Sequence, residues 1–276
     1  MTDIAASGIP ATVFFDVDGT LISHGSGDIA DTVENARPTD AVYEAFRRLR
    51  ARGHRAFICT GRPLCLVPQA LHDLHPNGMI TGAGACVSQG TRVLQETSIP
   101  HPLLEETVRR LASVGATVLF EGSQGCVTLT VPGNDQQGFP GVPIARTAAE
   151  ALAAMGDAPF DKFSYYDTEL PRLARIAGFL NEHFVNSNLG IGAGEYSQVG
   201  INKGAGVRHA LESLGLGRER TFAFGDSEND LAMLAAVETP IAMGNALPSV
   251  KAAAAHVTDS VDRDGVVSGL EHFGLI

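Results

Sequence analysis

Short apolar segments that alternate with helical segments constrain the fold of this chain most. Residues 12–17 (TVFFDV), 55–59 (RAFIC) and 221–224 (TFAF) are apolar without alternation, which is typical of strands buried on both faces. Residues 39–52 carry apolar side chains at helical spacing, and a second helix is predicted around 65–74. This order predicts a parallel sheet with right-handed crossovers, and therefore a Rossmann-like α/β core.

The pattern differs between residues 88 and 199. Helical segments at 102–114 and 170–184 are each followed by two strand-like segments, which indicates two α-β-β units. Such units favour an antiparallel sheet with helices on one face. We therefore expect a core domain formed by residues 1–87 and 200–276, interrupted by an inserted α+β domain at 88–199.

The charge and the cysteines limit the classes of partner. The 276 residues carry a net charge of -11, and a nucleic-acid binder would normally present a basic face instead. Without a CxxC pair, the four cysteines are expected to be buried free thiols rather than zinc ligands or disulfides. We expect a cytoplasmic protein without membrane attachment, because the sequence shows no signal-peptide pattern and no apolar run near the ~20 residues that span a bilayer.

Polar side chains follow the predicted strands at one edge of the sheet. They are Asp16 and Asp18 after the first strand, Thr60 after the second, Asp226 and Asp230 after the third, and Lys203 at the start of the preceding helix. Singly, each has a simpler explanation as a turn, a solvated strand end or a helix cap. Together they predict a site, because ligands of open parallel sheets bind beyond the carboxyl ends of the strands.

The spacing of Asp16 and Asp18 indicates which chemistry this site supports. Side chains two apart on a strand point to the same side, about 6–7 Å apart, so the two carboxylates repel each other. Mg²⁺ prefers hard oxygen ligands, and binding by Asp16 and Asp226 would offset this repulsion. Asp16 could then stay ionised as a nucleophile, and Asp18 could carry a proton and give it to a leaving alkoxide. Thr60 would donate to a phosphoryl oxygen, and Lys203 would offset its charge.

Four motifs in this order resemble those of the haloacid dehalogenase superfamily. They are Phe15-Asp16-Val17-Asp18-Gly19-Thr20-Leu21, Thr60-Gly61-Arg62-Pro63, Asn202-Lys203-Gly204 and Gly225-Asp226-Ser227-Glu228-Asn229-Asp230. The insertion between the second and third motifs resembles the C2B cap of the Cof-like branch (subfamily IIB), which contains sugar-phosphate phosphatases. The resemblance covers nearly the whole chain.

This resemblance implies a Mg²⁺-dependent phosphatase that acts on a small phosphate ester through an aspartyl-phosphate on Asp16. Asp18 would protonate the leaving group and then activate water. The implied sets are Asp16, Asp18, Thr60 and Lys203 for catalysis; Gly61, Arg62 and Asn229 for phosphate binding; and Asp16, Asp18 through its main-chain carbonyl, and Asp226 for the metal, supported by Asp230.

One departure and two alternatives accompany this interpretation. Thr81-Gly82-Ala83-Gly84-Ala85 stands where the branch usually has an Asn-Gly-Ala turn, so we expect a different leaving-group pocket. Candidate substrate-facing residues in the insertion are Glu121, Lys162, Tyr165 and Tyr166. A phosphomutase remains open, since some relatives with this type of cap isomerise sugar phosphates. A non-catalytic sensor predicts loss of motif residues, all of which are present.

Overall fold

The computed structural model describes residues 9–23, 37–134, 141–189 and 192–276, which divide into two compact units. The core unit takes in the described residues of Met1–Arg62, Val67–Gln95 and Asn202–Ile276. The inserted unit takes in Pro63–Leu66 and the described residues of Glu96–Ile201.

The strands and helices are numbered in chain order. The strands are β1 (Thr12–Phe15), β2 (Arg55–Cys59), β3 (Gly78–Thr81), β4 (Cys86–Gln89), β5 (Arg92–Glu96), β6 (Val118–Glu121), β7 (Cys126–Leu129), β8 (Ile144–Ala145), β9 (Lys162–Tyr166), β10 (Phe184–Asn188), β11 (Ala193–Gln198), β12 (Thr221–Gly225), β13 (Thr239–Ala242) and β14 (His256–Val257). The helices are α1 (Asp40–Ala51), α2 (Gln69–His72), α3 (His101–Val114), α4 (Ala148–Met155), α5 (Leu170–Leu173), α6 (Ala177–His183), α7 (Lys203–Ser213), α8 (Leu231–Ala236), α9 (Pro248–Ala253) and α10 (Gly265–His272).

The sheet of the core unit confirms the predicted α/β fold. Its strand order is β14-β13-β12-β1-β2-β3-β4-β5, and the pairings from β14 through β3 are parallel. The central strand β1 is completely buried at Val13, Phe14 and Phe15. Strand β12 lies on one side of β1 and β2 on the other, so the polar residues after all three strands share one edge. β4 pairs antiparallel with β3 and continues this sheet toward β5.

Helix α1 shows how the core is built from local signals. The Thr39 side chain caps the helix by accepting a hydrogen bond from the Val42 amide at 3.3 Å. Its buried face includes Phe46 and Leu49, and the Phe46 ring lies 4.8 Å from that of Phe15 on β1. Truncating Phe46 to alanine would cost about 3–5 kcal/mol of stability, because its side chain is completely buried and its loss would leave a cavity.

The prediction of one helix around residues 65–74 is wrong about its length and continuity. The structure has a single 3₁₀ turn at Leu64–Leu66 and one helical turn at α2. Pro68 separates them, because it lacks an amide hydrogen and disfavours a helical residue before it. Similarly, the predicted helix at 170–184 is divided into α5, a 3₁₀ turn at Ala174–Ile176, and α6.

The inserted unit has its own sheet, in the order β10-β11-β9-β6-β7-β8. All of its pairings are antiparallel except β7 with β8. One face packs against the helices through an aromatic cluster, in which the Phe163 ring lies 5.6 Å from Phe120 and 5.1 Å from Tyr196. The other face carries Glu121 and Lys162, because neighbouring residues of a strand point to opposite sides. Strand β8 and the alanine-rich α4 were not predicted from the sequence.

Among the described residues, every helix is too short or too polar to serve as a membrane span.

Candidate active site

A buried lysine joins the first motif to the fourth. The Lys203 Nζ donates to Asp16 Oδ1 at 2.5 Å and to Asp230 Oδ1 at 2.6 Å. Asp16 follows β1, Lys203 is the first residue of α7, and Asp230 ends the 3₁₀ turn Glu228–Asp230 after β12. The exposed fraction is 4% for Asp16, 2% for Lys203 and zero for Asp230, so these ion pairs are shielded from water.

Burial makes the charges of this cluster interdependent. Burial and the neighbouring Asp230 carboxylate raise the pKa of Asp16 well above its usual value, although Lys203 opposes this. For Lys203, burial favours the neutral amine, but Asp16 and Asp230 outweigh it and raise the pKa well above its usual value. Lys203 is therefore a fixed positive charge, and an ionised Asp16 depends on cations around it.

Asp230 also builds the turn that carries the fourth motif. Its Oδ2 accepts hydrogen bonds from the amides of Asp226 at 3.0 Å and Ser227 at 3.1 Å. The Ser227 side chain completes a capping box with the same residue. Both carboxylate oxygens of Asp230 are thus engaged, one by Lys203 and one by the turn. This arrangement agrees with a supporting position for Asp230.

Asp226 lies against the loop of the first motif. One carboxylate oxygen from each of Asp16, Asp226 and Asp230 falls within 4.8 Å of the others. Gly19 has a φ of +90°, and a Cβ there would collide with the Asp226 carboxylate. Glycine is therefore required at this position both by backbone conformation and by space. The Asn245 Nδ2, in the segment that precedes α9, donates to the Gly19 carbonyl at 2.8 Å and fixes the loop.

The composition of this cluster suits a divalent cation with oxygen ligands. Its carboxylates are Asp16, Asp18, Asp226 and Asp230, and its cations are Lys203 and Arg62. Four carboxylates against two cations leave two negative charges when all are ionised. Oxygen donors with this excess charge match the preference of Mg²⁺, which takes few carboxylates and retains several waters. The residues present therefore fit the metal that the sequence implies.

Arg62 makes a direct contact with the Asp18 carboxylate. The Arg62 Nη2 donates to Asp18 Oδ1 at 2.6 Å, and its Nε donates to Oδ2 at 3.2 Å. This two-point contact sets the orientation of the carboxylate. Arg62 is mostly buried, whereas the Asp18 side chain is 35% exposed. Of the two acidic residues in the first motif, Asp18 is thus the more accessible to water.

The remaining predicted residues lie around the same edge. The Thr60 hydroxyl accepts from the Arg62 amide at 3.1 Å, and its own amide donates to the Ile80 carbonyl, which holds the loop after β2. Gly61 is open to its surroundings, with nothing within 4 Å of an added Cβ. The Asn229 Oδ1 accepts from Lys203 Nζ at 3.2 Å. The structure therefore places every predicted site residue of the core unit at one edge of the sheet.

Two residues of this edge have positions that the sequence analysis did not assign, although Asn202 belongs to the third motif. Asn202 caps α7, and its side chain accepts from the Ala205 amide at 2.9 Å, which fixes the helix start at Lys203. The cap was readable, because asparagine favours this position. Asn245 gave no such signal, since its contact with Gly19 spans 226 residues.

The candidates in the insertion divide between the two faces of its sheet. Glu121 and Lys162 are paired in register on the face opposite the helices, 3.3 Å apart from Oε2 to Nζ. Tyr165 lies on the helix-packed face instead, where it belongs to the aromatic cluster and donates to Asn186 at 2.7 Å. Of the candidates named from the sequence, Tyr165 is therefore a packing residue of the insertion.

Comparison with known proteins agrees with the fold and with the predicted family. The profile of the haloacid dehalogenase-like hydrolases matches residues 13–270. "Putative phosphatase YkrA" of Bacillus subtilis (strain 168) is 28% identical over 272 residues, which cover 96% of this chain and 98% of YkrA. "5-amino-6-(5-phospho-D-ribitylamino)uracil phosphatase YcsE" of the same organism is 41% identical over 81 residues, which cover 29% of this chain and 32% of YcsE.

Solved structures show the same architecture. The subclass IIB sugar phosphatase BT4131 superposes with a TM-score of 0.77 at 25% identity, covering 96% of this chain and all of that one. BT1666 from Bacteroides thetaiotaomicron has a TM-score of 0.78 at 22% identity, covering 98% of this chain and 97% of that one, and it supports the fold alone. Fold and relatives thus define a hydrolase of the phosphatase class. The chain belongs to the haloacid dehalogenase-like hydrolase family.

Proposed function

We propose that this protein is a Mg²⁺-dependent phosphatase that hydrolyses a small phosphorylated metabolite, a sugar phosphate, through an aspartyl-phosphate on Asp16. The observation that carries the proposal is the buried Lys203, which contacts Asp16 and Asp230 while the Asp226 carboxylate lies within 4.8 Å of both acids. The substrate class follows the description of BT4131 as a sugar phosphatase.

Asp16 is the proposed nucleophile because it is the one carboxylate held by Lys203 directly after the central strand β1. Its attack on phosphorus replaces the bond to the leaving oxygen with a bond to Asp16. Lys203 offsets the charge of the transferring phosphoryl group. Thr60 supports the same group: its hydroxyl oxygen accepts from the Arg62 amide, which directs the hydroxyl hydrogen to a phosphoryl oxygen.

Asp18 is the proposed acid and base. It gives a proton to the leaving alkoxide in the first step and takes one from water in the second. Its partial exposure gives water access, and Arg62 holds its carboxylate in one orientation. Asn229 binds the phosphoryl group through its amide nitrogen, since its oxygen already accepts from Lys203.

Asp16, Asp226 and the main-chain carbonyl of Asp18 would hold Mg²⁺, with Asp230 supporting Asp226 through the turn. When bound, the ion neutralises charge on the phosphoryl oxygens and permits two anionic groups to approach each other.

The first experiment measures phosphate release from a panel of sugar phosphates and related monoesters with wild type and Asp16→Asn. We expect turnover in Mg²⁺, none in EDTA, and a fall in kcat of at least about 10⁴-fold in the variant. Asp40→Asn is the matched control, because that carboxylate is 94% exposed and lies on α1. Full activity of Asp16→Asn would exclude the proposed nucleophile.

Product analysis in the same assay separates the remaining alternatives. Free phosphate identifies hydrolysis, whereas an isomeric sugar phosphate identifies a mutase. Saturable binding of panel members to the Mg²⁺-loaded protein without any product identifies a sensor.

Gly19→Ala tests the metal site without removing a carboxylate. The added Cβ meets the Asp226 side chain, so we expect Mg²⁺ to bind about 10- to 100-fold more weakly. Gly53→Ala is the matched control, because Gly53 has a similar φ of +79° but nothing within 4 Å. That control should lose about 1 kcal/mol of stability and keep its Mg²⁺ affinity. Equal affinities in the two variants would contradict the assignment of Asp226.

A further inference from the structure

Two cysteines that lie 61 residues apart in sequence face each other in the inserted unit. The Sγ atoms of Cys65 and Cys126 are 3.6 Å apart, and Cys65 also donates to the Gly122 carbonyl at 3.2 Å. Cys65 is on the 3₁₀ turn Leu64–Leu66, and Cys126 is the first residue of β7. A disulfide bond is about 2.05 Å long, so an approach of roughly 1.5 Å would join them.

The two thiols differ in their access to solvent. Cys65 is exposed, contrary to the expectation that all four cysteines are buried, while Cys126 is 8% exposed. The hydrogen bond from Cys126 lowers the pKa of Cys65, and the same contact together with burial raises the pKa of Cys126. An exposed thiol with a lowered pKa beside a shielded partner is the arrangement found in redox-sensing pairs.

We propose that Cys65 and Cys126 form a reversible disulfide when the protein meets a small-molecule disulfide. The Cys65 thiolate attacks one sulfur of that molecule, breaks its S–S bond and releases one thiolate. Cys126 then attacks the Cys65 sulfur, its proton passes to the second departing thiolate, and the mixed disulfide breaks. Two protein thiols are oxidised, and one small disulfide is reduced to two thiols.

The proposed disulfide would also affect Arg62 of the core unit, because Cys65 follows it closely in the sequence. Cys65 comes three residues after Arg62, whose guanidinium contacts Asp18 and whose carbonyl accepts from the Gly82 amide. The disulfide would tie the segment that follows Arg62 to the hairpin of β6 and β7. We expect the bond to displace the segment between Arg62 and Cys65, and with it the contact of Arg62 with Asp18.

The test treats native protein with oxidised glutathione and identifies the products by intact mass and peptide mapping. Wild type should lose two hydrogen masses and yield a Cys65–Cys126 linked peptide that disappears with dithiothreitol. Cys126→Ser should stop at one glutathione adduct on Cys65, and Cys65→Ser should remain unmodified at Cys126. Cys86→Ala is the control, because Cys86 is buried in the core unit, and it should form the disulfide like wild type. Absence of the linked peptide in wild type, or its formation only after denaturation, overturns the proposal.

A second measurement, which depends on the proposed function, compares phosphate release by oxidised and reduced protein. We expect kcat/KM to fall roughly 10- to 100-fold on oxidation, because small displacements of a positioning group cost that much. Dithiothreitol should restore it, and Cys126→Ser should keep more activity than oxidised wild type. An unchanged rate in fully cross-linked protein overturns the regulatory consequence, while the mass analysis judges the disulfide independently of any activity.

Discussion

Each unit of this protein buries one lysine between two carboxylates, and the two clusters differ in what surrounds them. In the core unit, Lys203 lies 2.5 Å from Asp16 and 2.6 Å from Asp230. In the inserted unit, Lys162 lies 2.5 Å from Glu195 and 3.3 Å from Glu121. Lys203 and Lys162 are almost equally buried, at 2% and 3% exposure.

The two clusters differ in the part of the sheet from which their charged side chains project. The core cluster is formed where parallel strands end, so its groups extend past the sheet, and it contains a further carboxylate, Asp226. The inserted cluster is formed by cross-strand neighbours within a sheet, since Glu121 pairs with Lys162 in register. There Ser164 also donates to Glu121 and Lys162 donates to Glu195, so each carboxylate has a hydrogen-bond donor within the sheet. A buried lysine between acids therefore does not by itself indicate catalysis; the core cluster differs by lying at the carboxyl ends of parallel strands, where ligands of such sheets bind.

Replacing Lys203 should give the largest effect. Lys203→Met removes the cation that offsets phosphoryl charge, so we expect kcat/KM to fall about 10³-fold in a phosphate-release assay. Circular dichroism checks that the variant folds. If a folded Lys203→Met protein keeps a kcat/KM within tenfold of wild type, Lys203 does not take part in the reaction, and the proposed contrast between the two clusters is wrong.

Replacing Lys162 should instead reduce stability. Lys162→Met leaves Glu195 and Glu121 buried without their cation, which should lower the free energy of unfolding by about 3–5 kcal/mol. Urea denaturation measures this loss, and kcat/KM of the folded fraction should stay within about tenfold of wild type. A 10³-fold loss in a folded Lys162→Met protein would show that this lysine takes part in the reaction.

The two acids around Lys162 should contribute unequally to the stability of the protein. Glu195→Gln should cost about 3 kcal/mol, because it removes the closer partner of a buried cation. Glu121→Gln should cost less than about 1 kcal/mol, since Lys162 keeps Glu195 and the amide oxygen still accepts from Ser164. Urea denaturation of both variants at one pH measures the two losses of unfolding free energy. Equal losses would show that the shorter distance from Lys162 to Glu195 does not make this pair the stronger one.

The smallest expected effect is a pH dependence of stability. Burial raises the pKa of Glu121 above its ordinary value of 4.5. Above pH 4.5 the unfolded chain therefore loses this proton while the folded protein keeps it, so the contribution of Glu121 to stability falls as pH rises toward the folded pKa. Glu121→Gln should gain stability relative to wild type between pH 4 and 8 in urea titrations. A constant difference across that range would show that folding does not raise the pKa of Glu121.

The core site was more predictable than the insertion for a physical reason. Parallel strands bring their carboxyl ends to one edge whatever the loop lengths, so Asp16, Thr60 and Asp226 were expected together from their positions after apolar runs. Antiparallel neighbours depend on the register of the strands, which the turns between them determine and the spacing of residues in the sequence does not give. Neither the pairing of Lys162 with Glu195 nor the proximity of Cys65 to Cys126 follows from spacing.

Helix boundaries were less predictable than the strands of the core. Apolar periodicity indicated which residues face inward in 170–184, but it did not show that the helix is interrupted there. Periodicity reports burial, and a 3₁₀ turn changes the path of the chain while Leu173 and Leu180 stay buried.

The register of β1 with β12 bears on the order in which the protein assembles during synthesis. Thr12 pairs with Thr221, and Lys203 follows its partner Asp16 by 187 residues, whereas Glu195 follows Lys162 by only 33. A ribosome releases the inserted unit before β12, so its sheet can close while β1 still lacks one neighbour. Since chains emerge at about 5–20 residues per second, the growing core spends seconds with an open apolar edge. During that interval, the open edge of β1 is a strand that chaperones could shield.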